Sequence, residues 1–121
     1  FTPCTTADKK IKKQPGQDGM VVELQTPTDI AATLGASKQA HQRLVGFALE
    51  THDEQANALR KLQSKNLDMI VLNSLQDQGA GFGVDTNKVT LLFADGTKKD
   101  LPLLLKQEVA DVIVESILQL I

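Results

Sequence analysis

Two continuous apolar runs constrain this chain more than anything else in it. "RLVGFALE" (43–50) and "LDMIVLNS" (67–74) are too short for helices of their own, and each reads as a buried strand. Between them Ala58, Leu59 and Leu62 recur at helical spacing, so a helix is expected over roughly 53–65 with these three residues facing inward. Thr51 and Glu54 form a capping box at its start, and Asn66 suits a left-handed cap at its end. A strand, an amphipathic helix and a second apolar strand signal a parallel sheet covered on both faces.

The flanking segments fit around that unit. "GMVVELQ" (19–25) alternates well enough to predict a short strand. "TPTD" then predicts a helix start, with Thr26 as N-cap, Pro27 at the first helical position and Asp29 completing a capping box. Ile30, Ala31 and Leu34 carry its apolar spacing, and Gly35 marks its stop. Residues 75–87 form a glycine-rich loop, and Asp95-Gly96 predicts a tight hairpin between two strands. The last helix places Val109, Val112, Ile113, Ser116, Ile117 and Leu120 on one stripe. The fold class is α/β: a Rossmann-like, mostly parallel sheet with an appended antiparallel hairpin, truncated on its N-terminal side. The chain starts with "FTPCTTADKK" and no strand, so it reads as a piece of a longer protein.

Composition narrows the function. A length of 121 residues suits one domain. With four Phe and neither Trp nor Tyr there is no stacking platform for single-stranded nucleic acid, and a net charge of −2 disfavours a dedicated DNA or RNA binder. A lone Cys4 cannot staple the fold and suits a reducing compartment, the cytoplasm. Only His41 and His52 are present, with no Cys/His cluster at metal-ligand spacing, and no segment suits a membrane span.

Against this acidic background stands "DKKIKKQPGQDG" (8–19), where Lys9, Lys10, Lys12 and Lys13 run into Pro and Gly. Flexible ammonium groups in a mobile segment suit a polyphosphate, although a plain solvated charge run competes with that reading. Lys61 and Lys65, one helical turn apart, share a face and with Arg60 nearby could clamp phosphates or simply face solvent. The helix starts at "TPTDIA" and "THDE" offer free N–H groups to anions or ribose hydroxyls, with ordinary capping as the plainer account. "GAGFG" is no dinucleotide fingerprint, since no helix follows it, and no nucleophile elbow or triad is present.

"ADKKIKK", "TPTDIAATLG", "LVGFALET", "KLQSKNLDMIVLN", "GAGFGVDTNKVTLL" and "LPLLLKQEVADVIVESIL", in this order, resemble the C-terminal part of phosphopantothenoylcysteine synthetase. The resemblance covers nearly the whole chain. It implies a ligase that joins 4′-phosphopantothenate to L-cysteine through an acyl-cytidylate made from CTP, with Mg²⁺. It also implies a homodimer, fused to a flavin-dependent decarboxylase half that alone carries FMN.

The resemblance further implies roles for particular residues. Lys10 matches an essential lysine of a basic flap over residues 1–19. Thr28, Asp29, Ile30 and Ala31 match a nucleotide-holding segment, Phe47 a residue against the cytidine, and Lys61 and Lys65 two lysines near the nucleotide. The family usually has "NPDI" where this chain has "PTDI", which makes backbone contacts there firmer than side-chain ones. The phosphopantothenate side of the site would precede Phe1. A non-catalytic nucleotide-binding or dimerising module of the same fold is the second reading.

Overall fold

The computed structural model describes residues 1–75 and 85–121. In chain order the elements are β1 (Thr2–Pro3), β2 (Leu24–Gln25), α1 (Ile30–Ser37), β3 (Val45–Glu50), α2 (Glu54–Ser64) and β4 (Met69–Ser74). After the glycine-rich stretch, most of which lies outside the described residues, come β5 (Thr86–Asn87), β6 (Val89–Phe93), β7 (Lys98–Asp100), β8 (Leu104–Leu105) and α3 (Lys106–Leu120).

The two apolar runs pair in parallel, from Val45 opposite Met69 to Glu50 opposite Ser74, with α2 as their crossover. β6 adds antiparallel to β4, and β7 folds back on β6, giving the order β3-β4-β6-β7. The α/β class and the appended hairpin are as read from the sequence. The sheet itself is mixed rather than mostly parallel, because its parallel part here is the β3–β4 pair. The hairpin turns at Gly96, whose φ of 89° suits glycine, while Asp95 Oδ1 accepts from the Thr97 N–H and hydroxyl.

Strand alternation splits the core into two. Ala48, Ile70, Leu72 and Leu92 point to α2, where Ala58 and Leu62 meet them. Met69, Val71, Val89 and Leu91 point to α3, whose Val109, Val112, Ile113, Ile117 and Leu120 form the expected stripe. β4 lies between the layers and is buried at every position except the half-buried Asn73.

Several local expectations are corrected. The strand over 19–25 shrinks to Leu24–Gln25, paired only with Thr2–Pro3, because no core face lies beside it to bury alternate residues. α1 is capped by Asp29 rather than Thr26, and it runs through Gly35 to Ser37. Ile30 and Leu34 are exposed, since the sheet does not reach that face of α1. α2 has Asp53 as its N-cap, in a left-handed conformation with no side-chain bond, so the Thr51/Glu54 box does not form. The Glu54 carboxylate instead accepts from the Ser74 hydroxyl at 2.6 Å. Leu59 is exposed, whereas Asn66 takes the expected left-handed cap at φ 51°.

Candidate functional site

Residues chosen from distant parts of the sequence converge where α1 meets the last turn of α2. The convergence starts from Gly35, which has no side chain to hold the α2 backbone away, and from Asn66, whose amide donates to the Gly35 carbonyl at 2.9 Å. This fixes the start of α1 beside Lys65. Asp29 Oδ1 accepts from the Ala32 N–H at 3.0 Å, and Oδ2 faces the Lys65 ammonium at 3.1 Å. The Ala32 N–H, with the Lys65 hydrogen bond after it, holds the Asp29 carboxyl below its ordinary value against the opposing effect of desolvation. Thr28 and Ile30 are exposed beside this cap and Ala31 is half-buried.

One turn earlier, Lys61 reaches the end of β3. Its ammonium lies 2.5 Å from Glu50 Oε1, while the Asn57 amide approaches Oε2 at 3.5 Å and donates to the His52 carbonyl at 3.0 Å. Two lysines are thus matched by two carboxylates from two other elements. The Lys65–Asp29 pair, with its carboxylate half exposed, is screened by solvent and contributes little, so it can exchange partners readily with an incoming phosphate.

Phe47 lies apart from this cluster. Alternation along β3 sends Glu50 and Ala48 to the α2 side and Phe47 to the α3 side, where it is 67% exposed. There it lines a cavity of about 300 Å³ with Leu49, Asn73, Leu75, Asn87 and Lys106. The Asn87 amide donates to Asn73 Oδ1 at 2.5 Å across the floor of that cavity. The structure therefore joins Asp29 to Lys65 and sets Lys61 beside them, but it does not bring Phe47 to the lysines.

Lys10 is exposed on the arm that β1 and β2 close at its base. Within 8–19 there is neither helix nor strand, only a turn in which the Gln17 N–H donates to the Gln14 carbonyl. Glu50, Asn73 and Asn87 were not singled out by sequence reasoning. The available signal was a polar residue at the carboxyl end of an apolar strand, where α/β sheets bind their ligands. Among the described residues no group of three His, Cys, Asp or Glu side chains is placed to hold a metal ion. Among the same residues no helix is long and apolar enough to cross a membrane.

A family model described as the DNA/pantothenate metabolism flavoprotein C-terminal domain matches residues 1–121. The chain belongs to that family. The coenzyme A biosynthesis bifunctional protein CoaBC of Bacillus subtilis (strain 168) is 50% identical over 117 residues, 97% of this chain and 28% of that protein. A cysteine/cysteine sulfinic acid decarboxylase of an unknown prokaryotic organism is 54% identical over 121 residues, all of this chain and 33% of that one. The chain thus spans a third or less of these curated relatives. The crystal structure of the C-terminal domain of a coenzyme A biosynthesis bifunctional protein CoaBC superimposes with a TM-score of 0.69 at 46% identity, over 81% of this chain and 46% of that one. The family resemblance read from the motifs agrees with these matches: the chain corresponds to part of the C-terminal domain of the bifunctional CoaBC proteins.

Proposed function

We propose that this domain supplies the nucleotide-side half of a phosphopantothenate–cysteine ligase of coenzyme A biosynthesis. In this reading the carboxylate of 4′-phosphopantothenate attacks the α-phosphate of CTP, pyrophosphate leaves, and the amine of L-cysteine displaces CMP to form the amide. The observation that carries it is the meeting of Asp29 and Lys65 at the start of α1, one helical turn along α2 from Lys61 at the carboxyl end of β3. A helix start with one ammonium against it and a second one turn away suits a polyphosphate.

Each residue then has a task. Lys61 and Lys65 offset charge on the phosphates, and Lys65 leaves Asp29 to do so. The backbone of Thr28, Asp29, Ile30 and Ala31 holds the nucleotide at the helix start, and freed Asp29 accepts from a ribose or base donor. Lys10 approaches the reacting phosphate only as its segment closes, where excluding water strengthens its charge. Phe47 offers an apolar wall to the cytidine from the α3 side. The described residues do not form a cage for Mg²⁺. The phosphopantothenate contacts, a second copy in a homodimer, and an FMN-carrying decarboxylase half belong to the larger cytoplasmic protein of this reading.

Calorimetric titration of the full-length protein tests it. CTP is expected to bind with clear preference over ATP and NAD, and Lys65→Gln to weaken CTP without changing the KM for cysteine. Equal binding of all three nucleotides would overturn the reading. Selective CTP binding without product from all three substrates would leave the non-catalytic binding module instead.

A further inference from the structure

We infer that Glu50 is a positioning residue for Lys61, holding the ammonium where a nucleotide phosphate meets it; this rests on the proposed role of Lys61. The two carboxylates facing the lysines differ in kind. Asp29 is half exposed on a helix cap, whereas the Glu50 side chain is only 12% exposed and its partner Lys61 is 39% exposed. Glu50 is therefore the fixed member of its pair, built into the carboxyl end of β3 opposite Ser74. Its two oxygens are divided: Oε1 takes Lys61 and Oε2 faces the Asn57 amide.

A lysine that swung fully onto a phosphate would leave this carboxylate without its charged partner in a nearly buried place, which is strongly unfavourable. Lys61 need not swing. An ammonium has three N–H donors, and Glu50 engages one, so the others remain for a ligand on the exposed side. Holding a long, flexible side chain in advance removes a part of the ordering cost that binding would otherwise carry. The Lys65–Asp29 pair lacks so buried an anchor, since its carboxylate is 51% exposed against 12% for Glu50.

The test is a double-mutant cycle in the full-length protein, reading the KM for CTP and for L-cysteine in Glu50→Gln, Lys61→Gln and the double variant. Glu50→Gln keeps the shape of the side chain and removes its charge. It is expected to raise the KM for CTP about ten-fold, as for a lost charged hydrogen bond, and to leave the KM for cysteine unchanged. With Gln already at position 61, it is expected to have no further effect on CTP. Full additivity, or an equal rise for both substrates, would overturn the inference and leave Glu50 as a tie between α2 and β3. A Lys61→Gln variant with parental KM for CTP would instead overturn the assignment of Lys61 itself. Should Glu50→Gln not fold, Glu50→Asp keeps the charge but draws it back by one methylene. It is then expected to give a smaller rise for CTP alone, and a parental value would count against the inference.

Discussion

Gly35 of α1 lies so close to Lys65 that a methyl group added to it would stand 1.8 Å from the Lys65 carbonyl oxygen. The obstacle is backbone, held by the Asn66 amide on the Gly35 carbonyl, so no side chain can turn aside to make room. Gly35→Ala is expected to force α1 away from α2 and lower stability by about 2 kcal/mol, the usual size of an overpacking effect. Urea unfolding measures it. A midpoint equal to the parent's would show that the helices are not in contact here. The same variant should weaken CTP more than Lys65→Gln alone, because it displaces α1, with the Asp29 cap at its start, from Lys65.

Asp68 makes the second prediction. It closes the turn between α2 and β4, where Oδ2 accepts from the Leu44 N–H at 2.7 Å and from Lys38 at 2.9 Å. Burial pushes its carboxyl up, yet the Leu44 N–H and Lys38 together bring it below its ordinary 3.8. A carboxyl depressed in the folded state adds stability above its unfolded value, and that stability fades as pH falls through the folded one. Asp68→Asn is therefore expected to cost about 2 kcal/mol at pH 7, the size of a charged hydrogen bond, and less below about pH 4. Urea midpoints across this range check the sign. A gap between parent and variant that widened in acid would refute it.

The strand–helix–strand unit was legible because β4 is buried on both sides and leaves a mark of uninterrupted apolar residues. β3 carries the same mark but is corrected by the structure: it is buried only at Ala48, with Phe47 and Leu49 exposed on a face that α3 does not cover. The final helix was legible for the related reason that one face is covered. Where tertiary partners decide, the sequence was ambiguous. Gly35 looks like a helix stop until Lys65 is placed against it, and Glu54 looks like a capping-box residue until Ser74 is seen to engage it. Leu59 follows helical spacing, but the core contacts reach only Ala58 and Leu62. At the candidate site, Lys61 and Lys65 were visible as a pair one turn apart. Glu50, which holds one of them, looks from the sequence like the polar end of an apolar strand.

Lys10 should separate chemistry from folding. It is exposed on a segment without helix or strand, so Lys10→Gln is expected to change stability by less than about 0.5 kcal/mol. In the full-length protein it should nevertheless lower turnover strongly, while Gln at Lys9, Lys12 or Lys13 gives milder losses that shrink at high salt. Turnover and acyl-cytidylate accumulation across the four variants decide the matter. Equal losses in all four would make the run an electrostatic funnel in which Lys10 has no special part.

Phe47 and Lys61 stand on opposite faces of the sheet, and this geometry makes a prediction that a shared site would not. Phe47 projects to the α3 side and is 67% exposed, so Phe47→Ala removes little core contact. The expected cost in stability is under about 1 kcal/mol, well below the 3–5 of a core phenylalanine. An aromatic of this size left open beside a cavity floored by Asn73 and Asn87 has a surface to offer a ligand. If a nucleotide touches both residues, it does so from two sides of β3, and the two contacts have no neighbour in common. The losses in CTP affinity from Phe47→Ala and Lys61→Gln should then add within about 0.5 kcal/mol, in contrast to the coupling expected between Glu50 and Lys61. Strong coupling between Phe47 and Lys61 would mean that the sheet face assigned to one of them changes when the nucleotide binds. Titration of CTP against the two single variants and the double variant distinguishes these outcomes.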